Sequence, residues 1–402
     1  MIILKLASVI LLIIFLLRIK VSMGLSLISA SVAIGLLFFS RKYDIPVVMA
    51  KSLSSYMTIK TAVIVYGVLL LSYLMKARQV DRMVAGLSHL FKNVKYAIIV
   101  PPMLIGLLPM PGGAMLPAPI IESMSGPLNL SPEKKTFINY WFRHIWEYFW
   151  PLYPGLILTA SILQISIKSI MFHQFYLTIL ALVIGMVFLS SVKNKTDKTI
   201  KPNAWKGLIS LAMSVSPILL MIILIIATPI REDVIVMSVA FAYLLLQRTS
   251  LKEKLKSLWK SFSLDTMLLI VGVMVFKDFL NESSSLNAIV GLIPREGYAM
   301  YAILILIPFL IGFLTGINQA YVGIVLPILV AFISVNGVVD FSKLAIFYTS
   351  GFTGVLLSPV HLCLSLTKEY FHAEWSRVYK ILIPASMPIL IIPILVHFIF
   401  KI

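Results

Sequence analysis

Long apolar runs recur from one end of the chain to the other, separated by short clusters of charge. Runs of roughly 18 residues or more have the length a transmembrane helix requires. The pattern predicts plain spans near 3–18, 23–40, 59–76, 172–190, 207–228, 232–247, 264–280 and 381–400. Four further apolar segments are interrupted. Those at 97–125 and 300–334 break in the middle, and those at 134–167 and 341–367 are long spans broken by proline. "QVDRMVAGLSHLFKN" (79–93) and "NESSSLNAIVGLI" (281–293) have the pattern of short amphipathic pieces. The opening run, "MIILKLASVILLIIFLLRIK", is expected to be a retained span. Its charges follow the apolar stretch and no small-residue cleavage pattern is present.

The same order of elements occurs twice, and the halves align almost without gaps. At an offset of 205, Lys51-Ser52-Leu53 matches Lys256-Ser257-Leu258, and Gly67-Val68 matches Gly272-Val273. At 206, Pro102, Leu104-Ile105-Gly106, Leu108 and Ala114 match Pro308, Leu310-Ile311-Gly312, Leu314 and Ala320. At 208, Tyr140 and Pro151 match Tyr348 and Pro359. The expected organisation is a first repeat over 1–192, a basic cytoplasmic linker at 193–206 and a second repeat over 207–402. Charge predicts that the repeats are inverted. Segment 76–95 carries Lys76, Arg78, Arg82, Lys92 and Lys95 against Asp81, whereas its counterpart 281–299 carries Arg295 against Glu282 and Glu296. Segment 41–60, basic yet placed outside by this arrangement, runs against it.

Composition narrows the class. The chain is 60% hydrophobic and 12% charged, with mean hydropathy +0.99. These values exclude a large soluble domain. The net charge of +18 is assigned to cytoplasmic loops and not to nucleic-acid binding, because the basic residues lie between apolar runs. The one cysteine, Cys363, excludes an intrachain disulfide and a cysteine-cluster metal site, and has the look of inert packing. The expected fold is an all-α membrane protein of about ten transmembrane helices plus two re-entrant hairpins in two inverted repeats. The expected location is the inner (cytoplasmic) membrane, as a multi-pass protein.

The interruptions carry the candidate chemistry. Unpaired backbone is tolerated at membrane depth only where it is buried in protein or lines a cavity. Free helix N-termini suit anions. In "PMPGGA" (109–114), Gly112 and Gly113 would form a hairpin tip and let a ligand approach bare backbone. A proline-kinked full span with a packing notch is the open alternative. In "GFLTGINQAYVG" (312–323), Asn318 and Gln319 are costly at membrane depth unless paired, so they bind a solute or ion or form an interhelical hydrogen bond. In "NYWFRHIWEYFWPLYPG" (139–155), Arg143, His144 and Glu147 stand in an aromatic run, and Pro151 and Pro154 break the helix around Tyr153. Each charge at a helix centre costs about 2.5–3.5 kcal/mol. Either Arg143 and Glu147 form a structural pair, or Arg143 draws an anion while Glu147 or His144 carries a coupling proton. In "LLSPVHLCL" (356–364), Ser358 and His361 lie at the matching break and, with Tyr153, are expected to line the solute site from the broken helices. Lys277, Asp278 and Glu122 are expected near an interface.

No phosphate-binding loop, HExxH or GxSxG pattern is present, and His144 with Glu147 alone is not a metal site. The paired hairpins and paired broken helices resemble the ion transporter superfamily, which includes divalent anion:sodium symporters and gluconate permeases. More closely, "LLPMPGGAMLPAP" and "NYWFRHIWEYFWPLYPG" resemble an uncharacterised prokaryotic family of polytopic membrane proteins, the domain of unknown function 401, over nearly the whole chain. The resemblance implies a scaffold domain, a mobile domain holding both hairpins, a homodimer and elevator-type movement. It supplies no substrate, because Pro-Gly-Gly-Ala and Ile-Asn-Gln-Ala stand where the symporters carry Ser-Asn-Thr. The expected function is secondary active transport of a small, anionic organic solute across the lipid bilayer, coupled to sodium or proton, with no cofactor, no metal and no enzymatic activity. A passive anion channel and a membrane-embedded enzyme acting on a lipid are the alternatives.

Overall fold

The computed structural model describes residues 2–76, 94–110, 112–190, 192, 204–283, 297–335 and 337–400. The amphipathic stretch 79–93, the part of its counterpart from 284 to 293, Pro111 and linker residues 193–203 lie outside the described residues. So do most of the charges used above to orient the repeats.

The described chain is helical apart from a two-residue strand pair, Ser334–Val335 with Val338–Val339. Five described helices are long and apolar enough to cross a membrane: Tyr56–Lys76, Ile167–Ser190, Tyr298–Thr315, Phe341–Tyr370 (counted across its interruption) and Trp375–Ile399. Further apolar helices are shorter, among them Met23–Phe38, Pro154–Leu163 and Asn318–Ile333. On Ile167–Ser190 the side chains of Phe172, Phe175, Ile179, Val183 and Val187 are exposed. They recur every three or four residues and form one apolar stripe, as a lipid-facing helix requires. The protein is a membrane protein.

Local signals set the helix ends. Ser131 caps Pro132–His144 by accepting from the Lys134 N–H, with Pro132 in the first turn where its missing N–H is harmless. Asp340 caps Phe341–Leu357 through the Ser342 and Lys343 N–H groups. Ser250 and Glu253 form a reciprocal capping box on Leu251–Ser261. Pro308 and Pro327 sit inside continuous helices. The second interruption therefore falls at Gly316, in the left-handed conformation at φ 65°, and not at a proline.

Both halves contain an interrupted segment followed by a broken helix, with different arm lengths. In the first, Val100–Gly106 and Ala118–Ser125 flank an irregular tip with Gly112 at φ 65°. In the second, Tyr298–Thr315 and Asn318–Ile333 meet across Gly316 and Ile317. The sequence reads both segments as re-entrant hairpins; the first arm of the second, Tyr298–Thr315, alone reaches 18 residues. The break in 134–167 also begins earlier than its prolines. The helix stops at His144, and a tight 3₁₀ turn over Ile145–Tyr148 precedes Pro151.

Packing is crosswise between the halves. Met23–Phe38 lies against Leu264–Glu282, and Tyr56–Lys76 against Glu232–Leu246. Pro154–Leu163 packs on Asn318–Ile333, while Leu362–Tyr370 packs on the turn at Gly113–Met115. Each short helix after a break thus meets the opposite hairpin. At the centre, Tyr140, Tyr148, Tyr321, Tyr348, Phe142 and Phe352 are fully buried.

Candidate functional site

The site forms where the two tips and the two breaks converge. The aromatic run 146–153 proves to be a set of caps. A helix leaves its last carbonyls without partners. For Val100–Gly106 these are taken by Trp146 Nε1 donating to Met103 O at 2.8 Å, Trp150 Nε1 to Leu107 O at 3.1 Å, and Tyr153 Oη to Gly106 O at 2.6 Å. These three residues lie in the irregular stretch between His144 and Pro154, which wraps around the end of Val100–Gly106. The other half uses smaller groups. Ser358 Oγ donates to Phe313 O at 2.6 Å, and His361 Nδ1 lies 2.6 Å from Gly316 O. Tyr153 and Ser358, placed among the solute-lining residues by sequence, thus have hydroxyls engaged by hairpin carbonyls.

Arg143 is buried and reaches the first tip. Its Nη2 donates to Met110 O at 2.8 Å and its Nη1 lies 3.0 Å from His144 Nε2. Its Nε has no partner although it is buried. The guanidinium lies flat against Gly113: a Cβ there would stand 2.9 Å from Nη2 and 3.1 Å from Nε. Gly112 is open by comparison, its nearest neighbours being Leu366 and Leu362 at 3.5 and 3.8 Å from an added Cβ.

Glu147 is buried one helical turn beyond Arg143, with Oε1 3.8 Å from both Arg143 Nη1 and His144 Nε2. At that separation the Arg143 guanidinium and the Glu147 carboxylate attract without a direct hydrogen bond. Its Oε2 accepts from Asn318 Nδ2 at 3.3 Å, which ties the second hairpin tip to the first broken helix. Asn318 Nδ2 also reaches Tyr348 Oη at 3.2 Å, while its Oδ1 is buried and unpartnered. Gly155 leaves room for this side chain, since a Cβ there would lie 2.7 Å from Asn318 Oδ1. Gln319 is half-buried and forms no hydrogen bond among the described residues.

The two tyrosines matched by sequence cross-link the halves. Tyr140 Oη donates to Leu356 O at 3.1 Å, and Tyr348 Oη donates to Glu147 O at 3.0 Å. His361 Nε2 lies 3.1 Å from His144 Nε2. The buried thiol of Cys363 completes a group whose ligand atoms all lie within 4.8 Å of one another. Sequence reading assigns Cys363 to inert packing; its place beside His144, more than two hundred positions away, is not legible there.

The structure thus gathers Arg143, His144, Glu147, Asn318 and His361 in one cluster, with Gly113 against it. The crevice beside His144, lined by Trp141, Tyr148 and Leu356, has a volume near 0 Å³ and is closed. A cavity of about 230 Å³ lies elsewhere, beside the 2.8 Å Lys60–Glu232 ion pair and Ser161. Of the remaining charges, Glu122 pairs with Lys135 at 2.7 Å, and Lys277 with Asp278 at 3.3 Å.

Over residues 1–401 the chain matches the family described as "Protein of unknown function (DUF401)". It belongs to the DUF401 family. No curated protein matches the chain. Nearly all of this DUF401 protein, including both hairpins and both breaks, therefore lies within one family unit.

Proposed function

We propose that the protein is a secondary active transporter of a small, anionic organic solute, driven by a sodium or proton gradient. The observation that carries this is Arg143. A guanidinium buried beside a hairpin tip, with one donor unpartnered and bare glycine backbone against it, is a poor structural element and a good anion receptor. Charge at membrane depth is costly and marks a pathway more often than packing.

The duplication on which this reading rests is supported by contacts that recur at the sequence offsets. Gly106 and Gly312, 206 apart, each leave room for a backbone carbonyl of the following broken helix, Arg143 O and Gly351 O, themselves 208 apart. Trp150 to Leu107 O and Ser358 to Phe313 O repeat the same pairing. So, within one residue, do Tyr140 to Leu356 O and Tyr348 to Glu147 O. Two interrupted segments in corresponding places are the general mark of a secondary transporter site. On this basis the hairpins and breaks form the mobile unit of an elevator-type carrier of the ion transporter superfamily. It works as a homodimer in the cytoplasmic membrane.

The test is uptake into liposomes holding the purified protein, with imposed sodium or pH gradients and a panel of organic anions. Gradient-dependent uptake that R143Q abolishes is expected. Uptake of no panel member, or equal uptake by R143Q, would remove the basis for the assignment.

A further inference from the structure

Two histidines approach each other head-on at the centre of the site in a way that neutral imidazoles cannot satisfy. His144 Nδ1 lies 2.6 Å from Tyr140 O, and His361 Nδ1 lies 2.6 Å from Gly316 O. A carbonyl oxygen only accepts, so each Nδ1 carries the ring proton. Both Nε2 atoms therefore present bare lone pairs, and they face each other at 3.1 Å. Two lone pairs at that distance repel unless an electrophile lies between them. Arg143 Nη1, 3.0 Å from His144 Nε2, can satisfy one of the two and leaves His361 Nε2 facing an occupied acceptor.

The third member decides what the electrophile is. Cys363 is buried, lies two residues after His361, and has its sulfur within 4.8 Å of both ring nitrogens. Two imidazoles and one thiol form a borderline-soft donor set of the kind that selects zinc-class cations over sodium, magnesium or calcium. Zinc–nitrogen bonds of about 2.0–2.1 Å at a tetrahedral angle put two ring nitrogens about 3.3 Å apart, close to the separation found. The Nδ1-to-carbonyl hydrogen bonds are the usual outer support of metal-bound histidine, fixing tautomer and ring plane. The three groups come from three pieces of backbone: the end of Pro132–His144, the break before Leu362–Tyr370, and the first turn of that helix.

We propose that His144, His361 and Cys363 bind one zinc-class divalent cation, a function that stands whether or not the protein carries an organic solute. Cys363 binds as thiolate, releasing its proton to solvent. Arg143 Nη1 withdraws from His144 while its Nη2 keeps Met110 O. The fourth position is left to Glu147, whose Oε1 is 3.8 Å from His144 Nε2, or to an anionic ligand.

Cobalt(II) is the probe, added anaerobically to the full-length protein in detergent. The chain contains one cysteine, so a thiolate-to-cobalt charge-transfer band reports Cys363 alone. The expected result is one equivalent bound, tetrahedral visible bands with the charge-transfer band, and bleaching of both by one equivalent of zinc. C363S should lose the charge-transfer band, H361Q should weaken binding about tenfold or more, and H173Q, at an exposed histidine, should change neither. Wild-type protein with no such band overturns the proposal, as does a band that H361Q leaves at full affinity. A proton shared between the two rings is then the remaining electrophile. The wild-type spectrum decides even if a variant fails to fold.

Discussion

Gly113→Ala is the substitution whose effect the structure sets most directly. A methyl at this position would lie 2.9 Å from Arg143 Nη2 and 3.1 Å from its Nε. Comfortable contact needs about 3.5 Å, so the guanidinium must retreat by roughly 0.5 Å. It is held by the 2.8 Å bond to Met110 O, which at that displacement lengthens past ordinary hydrogen-bond range. A hydrogen bond from a charged donor contributes about 1.5–3 kcal/mol, and that is the expected loss. Met110 Cγ, 2.7 Å from the same methyl, must shift as well and adds to the loss, but that part does not involve Arg143. Gly112→Ala is the matched control. Its methyl meets nothing closer than 3.5 Å, and its cost is the φ 65° backbone alone, about 1–2 kcal/mol. Total loss therefore does not separate the two, but coupling to Arg143 does. In a double-mutant cycle of unfolding midpoints in detergent, G113A and R143Q should couple by about 1 kcal/mol or more, and G112A and R143Q by less than about 0.5 kcal/mol. Equal coupling for both glycines would refute the claim that Gly113 seats the guanidinium.

Three further outcomes follow from the same contacts. Y140F and Y348F each leave one buried carbonyl without its donor, so each should lower stability by about 1–3 kcal/mol in chemical or thermal unfolding. Y348F should cost more, since Asn318 loses a partner as well. G155A should disturb the second tip, because its methyl would meet Asn318 Oδ1 at 2.7 Å, and N318A in the same chain should restore most of the loss. Lys60 and Glu232, a partly buried pair at 2.8 Å, should show a coupling near 1 kcal/mol that shrinks in high salt.

Apolar run length made the helices legible, because a membrane span must satisfy its backbone as a helix or a closed barrel, and continuous runs of about 18 or more apolar residues fit only the helix. The tips were legible for a related reason: Gly112 and Gly316 both take φ 65°, and glycine is the residue that enters this region freely. Arg143, His144 and Glu147 stood out because charge in an aromatic run needs a cause. What the aromatics themselves do was not legible. Trp146, Trp150 and Tyr153 read as an apolar aromatic run, and nothing local says that it caps the carbonyl end of Val100–Gly106. The neighbours of Cys363, which the sequence reads as inert packing, were not legible for the same physical reason. Its significance depends on a packing of two breaks 217 residues apart, between His144 and His361, and a lone cysteine beside leucines has no period to read.

If the halves descend from one ancestor, as proposed, their differences locate the chemistry better than their likenesses do. The likenesses are structural: Gly106 with Gly312, Tyr140 with Tyr348 and Pro151 with Pro359 hold backbones together in both halves. At the same offset of 208, Arg143 faces Gly351 in the alignment, His144 faces Phe352, Glu147 faces Val355, Tyr153 faces His361 and Gly155 faces Cys363. Each pairing sets a chemical group against an inert or capping one. The groups come from opposite halves, three from the first and two from the second, yet they converge on one point because each break packs on the other half. A duplicated scaffold would supply two equivalent positions for such a group, and the residues at these five positions differ between the halves. On that reading the single centre follows from asymmetry between the two halves. Transplanting Gly351→Arg into the second half should therefore cost stability without creating a second site, since Phe352 and Val355 offer the new guanidinium no partner.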